Sequence, residues 1–337
     1  MEGNGGGQIT KKAPNSLQGS RIQGRALRTF PDGGHAMRWK RIFRRLKQIN
    51  VKKIMGRALE DKHKWQELRR TNHPTGKKLP VFVVGCNRSG TNMVCAAIGK
   101  SPHGWAYQES EFSLAFNGYY LRADWIIDWL IRRTPAPIIS FGSILDSQFT
   151  DELLSRFEGA RAIWIYRRFE DVANSCSRMK WGYHLKELVQ WVARGELEKL
   201  GARGKRISAD TVGLFSELFR ENLSNVDSAC LYWYMRNQLY FDLNLHVNPK
   251  VLLTQYEDTV LNKEQAFRRI FDFLGFPFES RVIDGVFATS VGKHSLPEID
   301  PAVQEICAGL KARLDAYYTK TSGWTPEHQA QLSTDET

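Results

Sequence analysis

The sequence of 337 residues has no run of about 18 or more apolar residues, so no stretch of it reads as a membrane-spanning helix. Its start, Met1-Glu2-Gly3-Asn4-Gly5-Gly6-Gly7, lacks the charged-then-apolar order of a secretory signal. Cysteine is scarce and odd in number. Cys86, Cys95, Cys176, Cys230 and Cys307 show no metal-ligand spacing, and reduced thiols in a cytoplasmic protein are the expectation. No metal site is expected. Acidic residues are scarce at one end only. Residues 1–80 hold 20 Lys/Arg against 5 Asp/Glu, a balance of +15, while the remainder holds 28 against 31, a balance of −3. The net charge of +12 therefore belongs to an N-terminal arm. No nucleic-acid-binding motif accompanies that charge, so no specific nucleic-acid partner is expected.

Residues 1–35 are polar, Gly- and Ser-bearing and without period, which reads as a disordered tail. Over 36–78 the pattern is that of a basic amphipathic helical arm. Trp39, Ile42, Phe43, Leu46, Ile49, Ile54, Met55 and Ala58 recur at roughly helical spacing among arginines and lysines. Two uses remain open for residues 36–70: lying on an anionic membrane surface, which would make the protein peripheral, or packing on the arm's own domain.

The stretch that organises the rest is 79–98. Val81-Phe82-Val83-Val84 reads as a short buried strand, a polar turn with two glycines follows, and an apolar-rich run fits a helix. A strand, a glycine turn and a helix N-terminus together make an anion cradle, because free backbone N–H groups and the helix dipole both favour negative charge there. Gly85 and Gly90 keep the five-residue step of a P-loop, but Thr91-Asn92 stands where Lys and a Mg²⁺-binding hydroxyl should be. Arg88, inside the loop, supplies the cation instead. A plain strand-to-helix turn with incidental glycines is the bland alternative.

The run Asn87-Arg88-Ser89-Gly90-Thr91-Asn92 resembles the 5′-phosphosulfate loop of the sulfotransferases, usually P-[KR]-[SG]-G-T-[TS], with Asn87 and Asn92 departing from it. Members of that family move a sulfuryl group from 3′-phosphoadenosine 5′-phosphosulfate (PAPS) to a hydroxyl or amine and release PAP. The resemblance implies that Arg88, Ser89, Gly90, Thr91, Asn92 and Met93 hold the phosphosulfate end. It continues at Ala160 to Ser175, similar to the family's 3′-phosphate element, a strand followed by R-x-P-x-D-x-x-x-S. Arg167, Asp171 and Ser175 match, and Phe169 replaces the proline. Cys230 to Leu245 reads as a long buried helix, and Val251 to Asp258 as a strand ending in Tyr256-Glu257-Asp258. With Phe273-Leu274-Gly275-Phe276-Pro277 that ending is very like a late scaffold block, and Lys293 sits in a segment resembling a loop over the 3′-phosphate.

Counted from Arg88, Glu109 takes the place of the catalytic glutamate of the tyrosine-sulfating and related bacterial branches. Chemically, an acceptor hydroxyl is a poor nucleophile until a base removes its proton. His103 is the competing base. Many relatives carry a lysine after the strand at 137–140, but this chain reads Ser140-Phe141-Gly142-Ser143, which puts more leaving-group stabilisation on Arg88.

These readings imply an α/β fold: a three-layer α/β/α, P-loop-like sulfotransferase domain over 79–320 with a mainly parallel sheet. The arm precedes it, and a tail follows over 321–337. Residues 182–228 form a helical insertion on the acceptor side, with a mobile basic loop near Arg203. The aromatic residues of 112–135 are expected mostly in the core. The acceptor is expected to be a hydroxyl of a polysaccharide or glycolipid. The alternatives are a kinase- or NTPase-like phosphate-ester enzyme, or a non-catalytic adaptor that binds anionic membrane or polymer through the arm. Oligomeric state is not legible.

Overall fold

The computed structural model describes residues 51–70, 76–110, 113–179, 181–289, 291 and 297–322, without the side chains of 51–60. The expected tail at 1–35, the first part of the arm and Lys293 lie outside the described residues. From Lys62 onward the chain forms one compact unit.

The first helix, α1 (Val51–Arg70), supplies that unit with one packed end. Trp65 meets Trp105 edge-on, with ring centroids 4.9 Å apart, and Leu68 is buried. The Lys64 ammonium donates to the carbonyls of Gly99 and Ser101. The end of the helix, from Lys62, thus packs on the domain that follows it. Next come β1 (Leu79–Gly85), α2 (Thr91–Lys100), β2 (Gly104–Tyr107), the two-residue strands β3 (Phe116–Asn117) and β4 (Tyr120–Leu121), and α3 (Asp124–Arg133). They are followed by β5 (Ile138–Gly142), α4 (Thr150–Arg156), β6 (Arg161–Tyr166), α5 (Phe169–Ser177), α6 (Leu185–Ala193), α7 (Ala209–Leu218) and α8 (Asn225–Asp242). The chain then runs through β7 (Val251–Gln255), α9 (Tyr256–Leu261), α10 (Lys263–Leu274) and α11 (Pro301–Ser322).

The main sheet has the order β2-β5-β1-β6-β7, and every pairing in it is parallel. Its central strands are continuous apolar runs because helices cover both faces. Side chains alternate between the two cores. Phe82, Val84, Ala162, Trp164 and Tyr166 join one, and Val81, Val83, Ile163 and Ile165 join the other. The chain leaves β1 toward β2 on one side and leaves β6 toward β7 on the other. The helices after β1 and β6 take opposite faces: α2 packs its Val94 and Ile98 in one core, α5 its Phe169 and Val172 in the other. A crevice therefore opens beyond the C-terminal ends of β1 and β6, the switch point of the sheet.

Three expectations change in detail. Tyr256-Glu257-Asp258 opens α9 rather than ending a strand, with two acidic side chains in the first turn, where the helix dipole favours them. The basic segment expected as a mobile loop is a 3-10 stretch over Leu197–Arg206, broken only at Gly201. Arg206 pairs it to Asp151 and Glu152, and Gly204 packs so closely that a Cβ there would meet the Leu197 carbonyl oxygen. The aromatic stretch before β5 is only partly core: Phe116 is buried, but Trp125 and Trp129 lie on the surface.

Helix α8 begins five residues before the expected Cys230, and a capping box explains why. The Asp227 amide donates to Ser224 Oγ at 3.0 Å, and the Ser224 amide donates back to the Asp227 carboxylate at 3.3 Å. The other Asp227 oxygen accepts the amide of Asp300, just ahead of α11. Ser224→Ala is expected to cost about 1 kcal/mol, a fall of about 2–4 °C in melting temperature by calorimetry.

Candidate active site

Glycine is required at both ends of the loop after β1. Gly85 has φ 134°, and a Cβ there would stand 2.2 Å from the Ile165 carbonyl oxygen, where β1 and β6 lie side by side. Gly90 has φ 92°, and a Cβ would run into the Tyr256 ring at 2.4 Å. Gly90 is also the residue from which α2 springs, so the first N–H groups of that helix have no intrahelical carbonyl to meet. Between the glycines, Arg88 adopts a left-handed φ of 68°, and the Asn87 side-chain oxygen accepts the Tyr232 hydroxyl at 2.5 Å.

The turn after β6 is bound to this loop in both directions. Arg88 Nε donates to Ser175 Oγ on α5 at 2.8 Å. In return, Arg167 Nη1 approaches the Arg88 carbonyl oxygen at 3.5 Å, and Arg167 Nη2 lies 3.5 Å from the Asp171 carboxylate. The Arg167 guanidinium stacks over the Tyr256 ring, 4.3 Å from its centroid, and the Trp233 indole N–H holds the Arg167 carbonyl at 2.8 Å. Buried Glu257 accepts the next amide, that of Arg168, at 3.1 Å. One cavity of about 1100 Å³ results, with Arg88, Gly90, Thr91, Asn92 and Met93 on its wall beside Arg167 and Ser175.

Glu109 is on the same wall. It follows β2 at the C-terminal side of the sheet, and its Oε1 accepts the Leu145 amide at 3.3 Å. Burial pushes its carboxyl up to about 7, and the nearby Asp146 carboxylate adds to the rise. The Leu145 amide, Arg236 and Arg203 act against it. Asp146 is itself pushed up to about 6 by burial, although it accepts the Leu121 amide at 2.8 Å. A carboxyl near neutrality suits a general base.

The expected set is thus brought together with two exceptions. Ser89 is fully buried, is not among the residues lining the cavity, and its Oγ meets no partner among the described residues. Lys293 is outside the described residues. His103 precedes β2 at the opposite, N-terminal end of the sheet and packs on Phe276, away from the cavity. Sequence reasoning missed Asp146, Tyr232 and Arg236. Arg236 is 1% exposed and donates to Gln148 Oε1 at 2.8 Å and the Ile144 carbonyl at 2.7 Å. A charge inside an otherwise apolar helix pattern was the available signal for Arg236. Among the described residues no cluster of three His, Cys, Asp or Glu side chains is placed to hold a metal ion.

No curated protein sequence matches the chain. Among solved structures it is similar to the sulfotransferase domain from the curacin biosynthetic pathway, at 16% identity and a TM-score of 0.45, covering 70% of this chain and 99% of that one. It is also similar to the sulfotransferase from Alicyclobacillus acidocaldarius, at 14% identity and a TM-score of 0.41, covering 74% and 98%. For mouse sulfotransferase SULT7A1 complexed with PAP the values are 14% and 0.32, covering 80% and 92%. At the level of sequence families, the sulfotransferase domain matches residues 78–294. That match takes in the whole sheet and both turns of the cavity, and the chain belongs to the sulfotransferase family.

Proposed function

We propose that the chain transfers a sulfuryl group from PAPS to an acceptor hydroxyl, with Glu109 as general base. The reading is supported by one observation: two arginine-bearing turns, tied to each other through Arg88 and Arg167, share a cavity with a carboxyl held near neutrality. PAPS supplies the sulfuryl group and a phosphate leaving group. The residues present fit it. The glycine at position 90 and the open N-terminus of α2 form a cradle for the 5′ end, with Arg88, Thr91, Asn92 and Met93 around it. Arg167 and Ser175 hold the 3′-phosphate, with Asp171 orienting the guanidinium.

Glu109 takes the proton of the acceptor hydroxyl. Its Oε1 is anchored by the Leu145 amide, so the carboxylate is oriented before the acceptor arrives. Arg88 and the first amides of α2 neutralise the charge that grows on the departing phosphate oxygen. With no lysine after β5, Arg88 carries that work among the loop's side chains. The acceptor is a hydroxyl of a carbohydrate or glycolipid head. Tyr119 and Trp181 on the wall offer flat faces for a sugar ring, and Arg203 offers a donor.

Glu109→Gln is expected to lower kcat by about 10²–10⁴-fold while the Kd for PAP, read by calorimetry, stays within a factor of two or so. Near-normal turnover in that variant removes Glu109 as the base. Because the base works deprotonated, kcat/KM of the wild-type enzyme should fall about tenfold per pH unit below pH about 7, and this acid limb should be absent in Glu109→Gln. Arg167→Ala removes a charge-assisted contact and should weaken PAP binding by about 10–100-fold. Unchanged affinity takes Arg167 out of the nucleotide site.

A further inference from the structure

Helix α3 turns two tryptophans away from the protein. Ile127, Leu130 and Ile131 are its buried stripe, and Trp125 and Trp129, one turn apart, stand on the opposite face at 72% and 50% exposure. The helix ends in Arg132 and Arg133. Its two acidic side chains are already engaged, Asp124 with Arg156 at 3.0 Å and Asp128 with Arg132. Arg133 has no ion pair among the described residues, so the face is apolar with a basic end. Two further large apolar side chains are exposed in the hairpin just before the helix. Leu114 is 65% exposed, and Tyr119, at the hairpin tip with φ 71°, is 43% exposed. Tyr119 is also on the cavity wall, and Trp125 lies six positions further along the chain, a reach of at most about 22 Å.

We propose that α3 and this hairpin form a docking surface for an anionic lipid bilayer, lying flat on it with Trp125 and Trp129 at headgroup depth. Charge chooses the occupant. A second copy brings no net charge to answer Arg132 and Arg133, since its own α3 carries two acidic and two basic side chains. The N-terminal arm carries +15 over residues 1–80 and is repelled by the same arginines. An anionic surface attracts them, at about 1 kcal/mol for each basic residue near it. Indole rings, apolar in body and with one polar N–H, favour the boundary between acyl chains and water. The docking is independent of which acceptor the enzyme uses. Its consequence for the cavity is that the Tyr119 side of the wall stands close to the bilayer plane.

The test uses the full chain and sucrose-loaded vesicles of phosphatidylcholine alone or mixed in equal parts with phosphatidylserine. The wild-type protein should sediment with the mixed vesicles and be released by salt. Trp125→Gln with Trp129→Gln should lower the partition coefficient about 100-fold, about tenfold for each tryptophan, with the melting temperature unchanged. Arg133→Glu should lower it about fivefold or more. If the double variant unfolds, brominated lipid provides a second reading: it should quench wild-type tryptophan fluorescence, and the single variants Trp125→Phe and Trp129→Phe should each lose part of that quenching. Wild-type protein that ignores mixed vesicles overturns the proposal. So does a folded double variant that binds as well as wild type, which moves the contact to the arm. A double variant that loses self-association in ultracentrifugation, without any vesicle effect, assigns the face to a second copy and overturns it too.

Discussion

Everything at the site depends on the reciprocal grip between two strand-terminal turns. Arg88 leaves the β1 loop to reach Ser175 on α5, and Arg167 leaves the β6 turn to reach the backbone of Arg88. Adjacent parallel strands bring the turns close, but they do not alone join them. The join needs Gly85, which lets β1 pass against the Ile165 carbonyl, and Gly90, which lets the loop lie on the Tyr256 ring. Tyr256 is the wedge common to both sides, touching the loop at one edge and stacking under Arg167 at its face. Any larger residue at position 90 would collide with that ring and be strained at a φ of 92°.

A single 3-10 turn, Ile144–Phe149, carries the second half of the arrangement. Ser147 Oγ accepts the Gly85 amide at 2.9 Å and donates back to the Gly85 carbonyl at 3.1 Å, fixing the end of β1. The neighbouring Leu145 amide anchors Glu109, and Asp146 anchors the hairpin through the Leu121 amide. Arg236 braces the turn from behind. The positions of Glu109 and of the loop after β1 are therefore set by the same six residues, so the two cannot drift independently. Buried polar groups this dense are costly unless satisfied, and here each of these contacts satisfies one.

How much of this the sequence revealed follows from the range of each interaction. The β1 loop, the β6 turn and Glu109 were legible because their signals are local: an apolar run, a glycine step, an arginine and a serine eight residues apart. Asp146 and Arg236 were not, because their partners lie 25 and about 90 residues away; a charge within an apolar helix pattern marks Arg236 as unusual but does not name its partners. Tyr232 bonds a residue 145 positions distant. The parallel sheet was legible for the same local reason, since strands covered on both faces are nearly unbroken in apolar character. Tyr256 was misread as the end of a strand because Val251 to Gln255 runs straight into it, and only the acidic pair behind it marks a helix start. The surface tryptophans were placed in the core by the ordinary preference of aromatic side chains, which carries no information about which face of α3 is covered.

The electrostatics of the cavity then follow from how its arginines are tethered. A carboxylate beside an arginine falls by about 1–3 units, which would leave a poor base at neutral pH. Glu109 has two arginines near enough to act on it, yet its carboxyl rises, because burial outweighs them. They are held off by other partners. Arg203 is drawn to the Tyr120 hydroxyl at 2.7 Å and stacks over that ring, and Arg236 is fixed on Gln148 and a carbonyl. Arg88 and Arg167 are likewise engaged on the far side, by Ser175 and by Asp171. The fold thus keeps positive charge around the cavity without letting any of it close on the base. The proposed base and the proposed anion loop can share one space only under that separation, and it is maintained by the hydrogen bonds of Tyr120, Gln148 and Ser175 and by the ion pair of Asp171.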